Sequence, residues 1–120
     1  MLVVSRFVVP EAESAAFLDR ARTALRALGS RPGYRCGRIG RAADEPTAWV
    51  VTSEWDAIGA YRRALSSYDA KVDAHPLLGE AVAEPGAYEL LYADDGHGAT
   101  VESASGRAAD ADRAGPARGD

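Results

Sequence analysis

The chain reads as an α+β domain of the ferredoxin-like type, strand-helix-strand-strand-helix-strand with an antiparallel sheet, over residues 1–93. Three observations point there. Two stretches, Phe17 to Leu28 and Ile58 to Val72, repeat apolar residues at helical spacing. Around them lie short runs rich in β-branched and aromatic residues, of which Ala48–Trp55 runs straight into the second helical stretch at Asp56. Composition then changes at Asp94: the 27 residues from Asp94 to Asp120 hold Val101 as their only large aliphatic side chain. Such a segment cannot bury enough apolar surface to offset the entropy of ordering, so residues 94–120 are expected to be a disordered tail.

Taken in order, Leu2–Val9 is the first strand, interrupted only by Ser5 and Arg6 and stopped by Pro10. Glu11 and Glu13 put negative charge at a helix N-terminus, where the peptide dipoles favour it. Phe17, Leu18, Ala21, Leu25 and Leu28 mark the inner face of that helix, which Gly29 and Pro32-Gly33 end. Tyr34–Gly40 carries two glycines and reads as an edge strand. Residues 41–47, with Asp44, Glu45 and Pro46, form a hairpin connection to Ala48–Trp55. Asp56 is the expected cap of the second helix, whose stripe is Ile58, Tyr61, Leu65, Tyr68 and Val72. Pro76 disfavours helical geometry at His75, so the helix should finish near Ala74, with a further turn at 77–82. Pro85-Gly86 is a second stop and Ala87–Ala93 the last strand.

Two helices cover one face of a four-stranded sheet, yet the first and last strands offer apolar side chains to both. A monomer would leave a large apolar face in water, which predicts a homodimer packed sheet against sheet.

The formal net charge of −4 and pI near 5.1 argue against a nucleic-acid or anionic-membrane partner. Thirteen arginines against the single Lys71 look like the codon bias of a high-GC bacterial genome. Cys36 alone can neither staple the fold nor build a thiolate metal site. The N-terminus lacks the pattern of a signal peptide and no apolar run is long enough for a membrane span, so a cytoplasmic location is expected. Gly37-Arg38-Ile39-Gly40 lacks the strand–loop–helix context of a phosphate loop, and neither a zinc-peptidase motif nor a nucleophile elbow occurs.

With Arg6-Phe7 on an apolar first strand, a long first helix, Pro32-Gly33-Tyr34, and a strand ending in Glu54-Trp55 before the helix Ala57–Arg62, the chain resembles the antibiotic biosynthesis monooxygenase family. The resemblance spans Leu2 to Tyr92 and implies the dimeric α+β barrel arrangement. Its members include cofactor-independent oxygenases of polycyclic quinols and anthrones, heme-degrading enzymes, and proteins without established activity. By resemblance, then, a monooxygenase without cofactor or metal is expected, acting with O2 on a small aromatic molecule. The alternatives are a dimeric ligand-binding or accessory protein of the same fold and, third, a heme-degrading relative. Ala64 stands where many members carry a histidine, and Phe7 where the heme-degrading relatives carry an asparagine. His75 falls within a residue or two of the iron-ligating histidine.

The candidate catalytic residues are Tyr68 and His75, as base or hydrogen-bond partner, and Arg6, as oxyanion stabiliser. Each has a plainer reading beside it. His75 can interact with free carbonyls at a helix C-terminus, and Arg6 can pair with Glu54 or Glu89. Trp55, Tyr61 and Trp49 are the candidate substrate-binding residues. Tyr61 and Tyr68 can equally be core residues, Trp55 a hinge between sheet and helix, and Trp49 part of the dimer contact.

Overall fold

The structure, a computed structural model, describes residues 1–84 and 86–104. Alternation along the strands decides the sheet. Strands β1 (Leu2–Val8), β2 (Tyr34–Arg41), β3 (Ala48–Trp55) and β4 (Ala87–Tyr88) pair antiparallel in the order β2-β3-β1-β4. This is the ferredoxin-like order, with β2 at an edge as its glycines predict. Phe7 stands opposite Trp49 and Val3 opposite Ser53. Side chains alternate between faces, so Val3, Phe7, Trp49, Val51, Ser53 and Trp55 share one face, and all are buried. Leu2, Val4, Arg6 and Val8 on β1 and Ala48, Val50 and Thr52 on β3 share the other. Among the described residues no helix packs over this second face, and Val8 is 75% exposed there.

Helix α1 (Ser14–Gly29) follows a single 3-10 turn at Glu11–Glu13. It buries Phe17, Ala21, Ala24, Ala27 and Leu28. Phe17 inserts between Phe7 and Trp49, with ring centroids at 5.1 and 5.2 Å. Burying a side chain of that size contributes about 1.5–3 kcal/mol, so this one residue does much to seat the helix.

The second helical stretch departs from the expected single helix. It is three pieces: α2 (Ile58–Leu65), α3 (Tyr68–Asp73) and α4 (His75–Leu78). The break lies at Ser66 and Ser67, where the Ser67 hydroxyl accepts from the amide of Ala70 and caps α3. Restarting the helix shifts its phase. The buried positions become Ala60, Ala64, Ala70, Ala74 and Leu77, while Tyr68 and Val72 are 79% and 52% exposed. Small alanines let the helices approach the sheet closely. Asp56 is not the cap; that position is Ala57, with no side-chain bond, and Asp56 lies exposed, 3.9 Å from Arg35.

The chain divides into two compact units after Tyr88. The expected strand Ala87–Ala93 is accordingly split. Ala87 and Tyr88 pair with β1, whereas β5 (Tyr92–Asp94) pairs with β6 (Thr100–Glu102) in a separate hairpin. The start of the expected tail thus carries strand structure; the rest of it, residues 105–120, lies outside the described residues. Among the described residues no helix is long and apolar enough to cross a membrane.

Candidate functional site

The space between sheet and helices is filled by side chains. Trp55 is 1% exposed, sits between Tyr34 and Tyr61 at 5.2 and 5.5 Å, and donates from Nε1 to the Ser53 hydroxyl at 2.8 Å. Trp49 shares its face and packs on Phe17, so it belongs to the core and not to the uncovered face. Burial raises the Tyr61 pKa above its ordinary value, so its hydroxyl stays protonated near neutrality. Tyr34 is raised for the same reason, with a smaller contribution from Cys36.

An open hollow of about 420 Å³ lies instead at the end of the sheet where β2 and β3 are joined. The register builds it. Gly40, Val50 and Arg6 form one cross-strand row, Ala48 and Val8 the next, and Val82 runs beside β1 through its amide bond to the Arg6 carbonyl. Its walls are therefore mainly aliphatic, with Arg6 as the polar member on that face, while Phe7, Arg41 and Trp49 border it from strand positions whose side chains point to the helix-covered face. Arg6 pairs with Glu84 at 2.9 Å, and not with Glu54 or Glu89 as the sequence suggested. Arg41 stands opposite Trp49 in the ladder and places its guanidinium carbon 5.3 Å from the indole centroid. The Trp49 Nε1 is buried and has no hydrogen-bond partner. A buried donor in that state costs roughly 1–3 kcal/mol, so it marks the place where an acceptor would be favoured.

Two of the six candidate residues, Arg6 and Trp49, thus line one hollow. The others do not join them. Tyr68 is on the solvent side of α3, and His75 donates from Nε2 to the carbonyl of Leu65 at 2.7 Å, closing the C-terminus of α2. Trp55 and Tyr61 lie in the core away from the hollow. Arg41 and Val82 were missed. Arg41 could have been found by pairing the two strands across the 42–47 loop, which sets it opposite Trp49; no local pattern marks Val82. A second groove, of about 300 Å³, runs between α1 and α3–α4 beside the Arg20–Glu80 ion pair, but its walls are charged and include Asp19 and Asp73. Among the described residues no three His, Cys, Asp or Glu side chains come together as a metal site. Nor do the residues present fit a heme, because the histidine that would ligate it is bonded through Nε2 to Leu65 and lines neither hollow nor groove.

Comparison with known proteins is consistent with this frame. The family model described as antibiotic biosynthesis monooxygenase matches residues 1–75. No curated protein sequence matches the chain. Among solved structures, a variant of SnoaB, a cofactor-independent oxygenase from Streptomyces nogalater, is 28% identical with a TM-score of 0.54, covering 68% of this chain and 82% of its own. A conserved protein from Methanosarcina mazei shares the fold at 17% identity and TM-score 0.58, covering 72% of this chain and 84% of its own. A Mycobacterium tuberculosis protein does so at 17% and 0.56, with coverage of 72% and 86%.

Proposed function

The chain belongs to the antibiotic biosynthesis monooxygenase family, and from that premise we propose that it is a cofactor-independent monooxygenase acting on an electron-rich polycyclic aromatic of the quinol or anthrone type. The observation that carries the reading to a site is the mainly aliphatic hollow lined by Arg6. A flat ring system fits such walls, and about 420 Å³ is within the range of small-molecule sites. A second subunit packed on the uncovered sheet face would roof the hollow and exclude water from it.

The chemistry is then as follows. A ring CH₂ beside a conjugated carbonyl loses a proton to solvent water, from which the departing oxygen atom later recovers it, and its electrons delocalise onto oxygen. The Arg6 guanidinium stabilises that oxyanion, which lowers the cost of forming it in a dry site. The carbanion transfers an electron to O2, and the two radicals combine as a peroxide on carbon. Loss of the second hydrogen with O–O cleavage leaves C=O on the ring, and the other oxygen atom departs as water. Substrate and O2 balance ketone and water, with no external reductant.

The test is oxygen uptake by the purified protein with a panel of anthrones and naphthoquinols, each rate set against uncatalysed autoxidation. Acceleration that falls about tenfold or more in Arg6→Ala, and survives in Tyr68→Phe, is expected. Rates equal to background across the panel would sink the oxygenase reading. They would favour a ligand-binding protein of this fold, a reading supported by the filled space between sheet and helices and the distance of Tyr68 and His75 from the hollow.

A further inference from the structure

We propose that Gly40 sets which ring systems the hollow admits: the side chain it lacks is the space into which the last of three linearly fused rings passes. This rests on the aromatic site proposed above and adds the length of its ligand.

The two glycines of β2 are not equivalent. A Cβ at Gly37 would collide with the Tyr34 hydroxyl and stand 3.0 Å from Leu25 Cδ2. Tyr34 has no room to yield, because its ring is set edge-on against Trp55 at 5.2 Å and lies over Gly29, where a Cβ would stand 3.1 Å from it. Packing on the helix-covered face therefore explains Gly37. Among the described residues Gly40 has no such reason. Its φ is not positive, so its backbone suits other residues. A Cβ built there meets a single atom within 4 Å, Val50 Cγ1 at 3.4 Å, which is ordinary contact. Glycine in a strand loses more backbone freedom on folding than any other residue and offers no side chain to pack. A β-branched residue would serve the sheet better at this position. The strand thus carries a weakness that its own packing does not require, and such a glycine marks a place where something approaches the backbone closely.

The register shows what lies above it. Gly40, Val50 and Arg6 form one row on the uncovered face, with Ala48 and Val8 in the next. Gly40 and Ala48 make a low floor, and Val8, Val50, Val82 and Arg6 stand around it. From Arg6 to Gly40 is two strand spacings, about 10 Å. Three linearly fused rings with an oxygen held at Arg6 pass beside Val50 over Ala48 and end over Gly40. Two rings end short of it. Any side chain at position 40 would occupy that end of the hollow.

The experiment titrates 2-anthrol and 2-naphthol, neutral phenols of three and two rings, into the full chain without oxygen and follows their own fluorescence. 2-Anthrol is expected to bind the wild type about tenfold tighter, through the apolar area of its third ring. In Gly40→Val the advantage should vanish through weaker 2-anthrol binding, while 2-naphthol stays within about threefold of wild type and the urea midpoint is not lowered. Gly37→Ala, a control on the same strand that does not line the hollow, should lower the midpoint and keep the preference. Equal affinity of the two phenols for the wild type, or a preference that survives Gly40→Val, would overturn the assignment while leaving the aromatic site standing. So would a lowered midpoint in Gly40→Val, which would return this glycine to the fold, or a changed sedimentation coefficient, which would give the space to a second subunit. Failure of both phenols to bind a protein with unchanged circular dichroism would overturn the assignment and the aromatic site together. None of these results depends on oxygen uptake, so the binding claim and the oxygenase claim fail separately.

Discussion

At the scale of single residues, the two tryptophans show how the same side chain takes opposite states. Trp55 is fully buried with its N–H satisfied by Ser53, whereas Trp49 is buried with its N–H partnerless. Replacing Trp55 by Phe removes ring volume and leaves the Ser53 hydroxyl buried without a partner. The cost should be about 2–4 kcal/mol, read as a lower urea midpoint with an unchanged slope. A loss under about 1 kcal/mol would show that the pair is not a stabilising contact. The equivalent change at Trp49 removes a donor that has no acceptor, so its stability cost should be smaller. Both residues were legible as aromatic members of one strand face, since six positions separate them. Their different hydrogen-bond states were not legible, because they depend on Ser53, two residues away, and on Arg41 across the ladder.

At the scale of elements, the motifs that made the family visible prove to be devices of folding. Gly33 adopts φ of +90°, and a Cβ built there would stand 2.5 Å from the Ala60 Cβ. Its carbonyl accepts from the amide of Asp56, and the next residue, Tyr34, sets its ring edge-on against Trp55. The Pro-Gly-Tyr turn and the Glu-Trp strand end therefore hold each other at the start of α2, which is why they report fold and not chemistry. Gly33→Ala must be strained in φ and must push α2 away; a loss of at least about 2 kcal/mol in urea unfolding is expected, and a loss below about 0.5 kcal/mol would contradict the geometry. The strands and α1 were legible from periodicity. The phase of the second helical stretch was not, because large apolar residues outweighed alanine in the pattern, and the Ser66-Ser67 break moved the buried stripe onto Ala60, Ala64, Ala70 and Ala74. The tie between α1 and the segment after α4 is the Arg20–Glu80 pair, with contacts of 2.7 and 3.2 Å. The hydrogen bond from Arg20 holds the Glu80 carboxyl below its usual pKa, so the unfolded chain binds the proton more readily. Its contribution is thus fully present above the ordinary carboxylate range and is lost as pH falls through the lowered folded value. Glu80→Gln should flatten the acid limb of the stability–pH curve slightly, since the pair is exposed and screened by salt.

At the scale of the molecule, the question is what covers the second face of the four-stranded sheet. Helices α1 to α4 lie on the side of Phe7, Val51 and Trp55, and the register sends Leu2, Val4, Val8 and Val50 to the other. Such a face is unusual on a soluble monomer, and a second copy is the cover the sequence itself argues for. A two-fold pair would set these strands against their own copy, burying β-branched side chains sheet on sheet at the ~10 Å spacing of such packings. The chain is therefore expected to sediment as a dimer at micromolar concentration. Val4→Glu, which places one carboxylate in that face outside the hollow, should give a monomer with an unchanged far-ultraviolet spectrum, since Val4 contributes nothing to the helix-covered core. A wild-type protein that sediments as a monomer would refute the paired sheet. If the partner also roofs the hollow, the same variant must slow oxygen uptake with the anthrone panel although it touches no lining residue. A monomeric variant that keeps the full rate would show the hollow to be complete within one subunit, and would separate assembly from function in this chain.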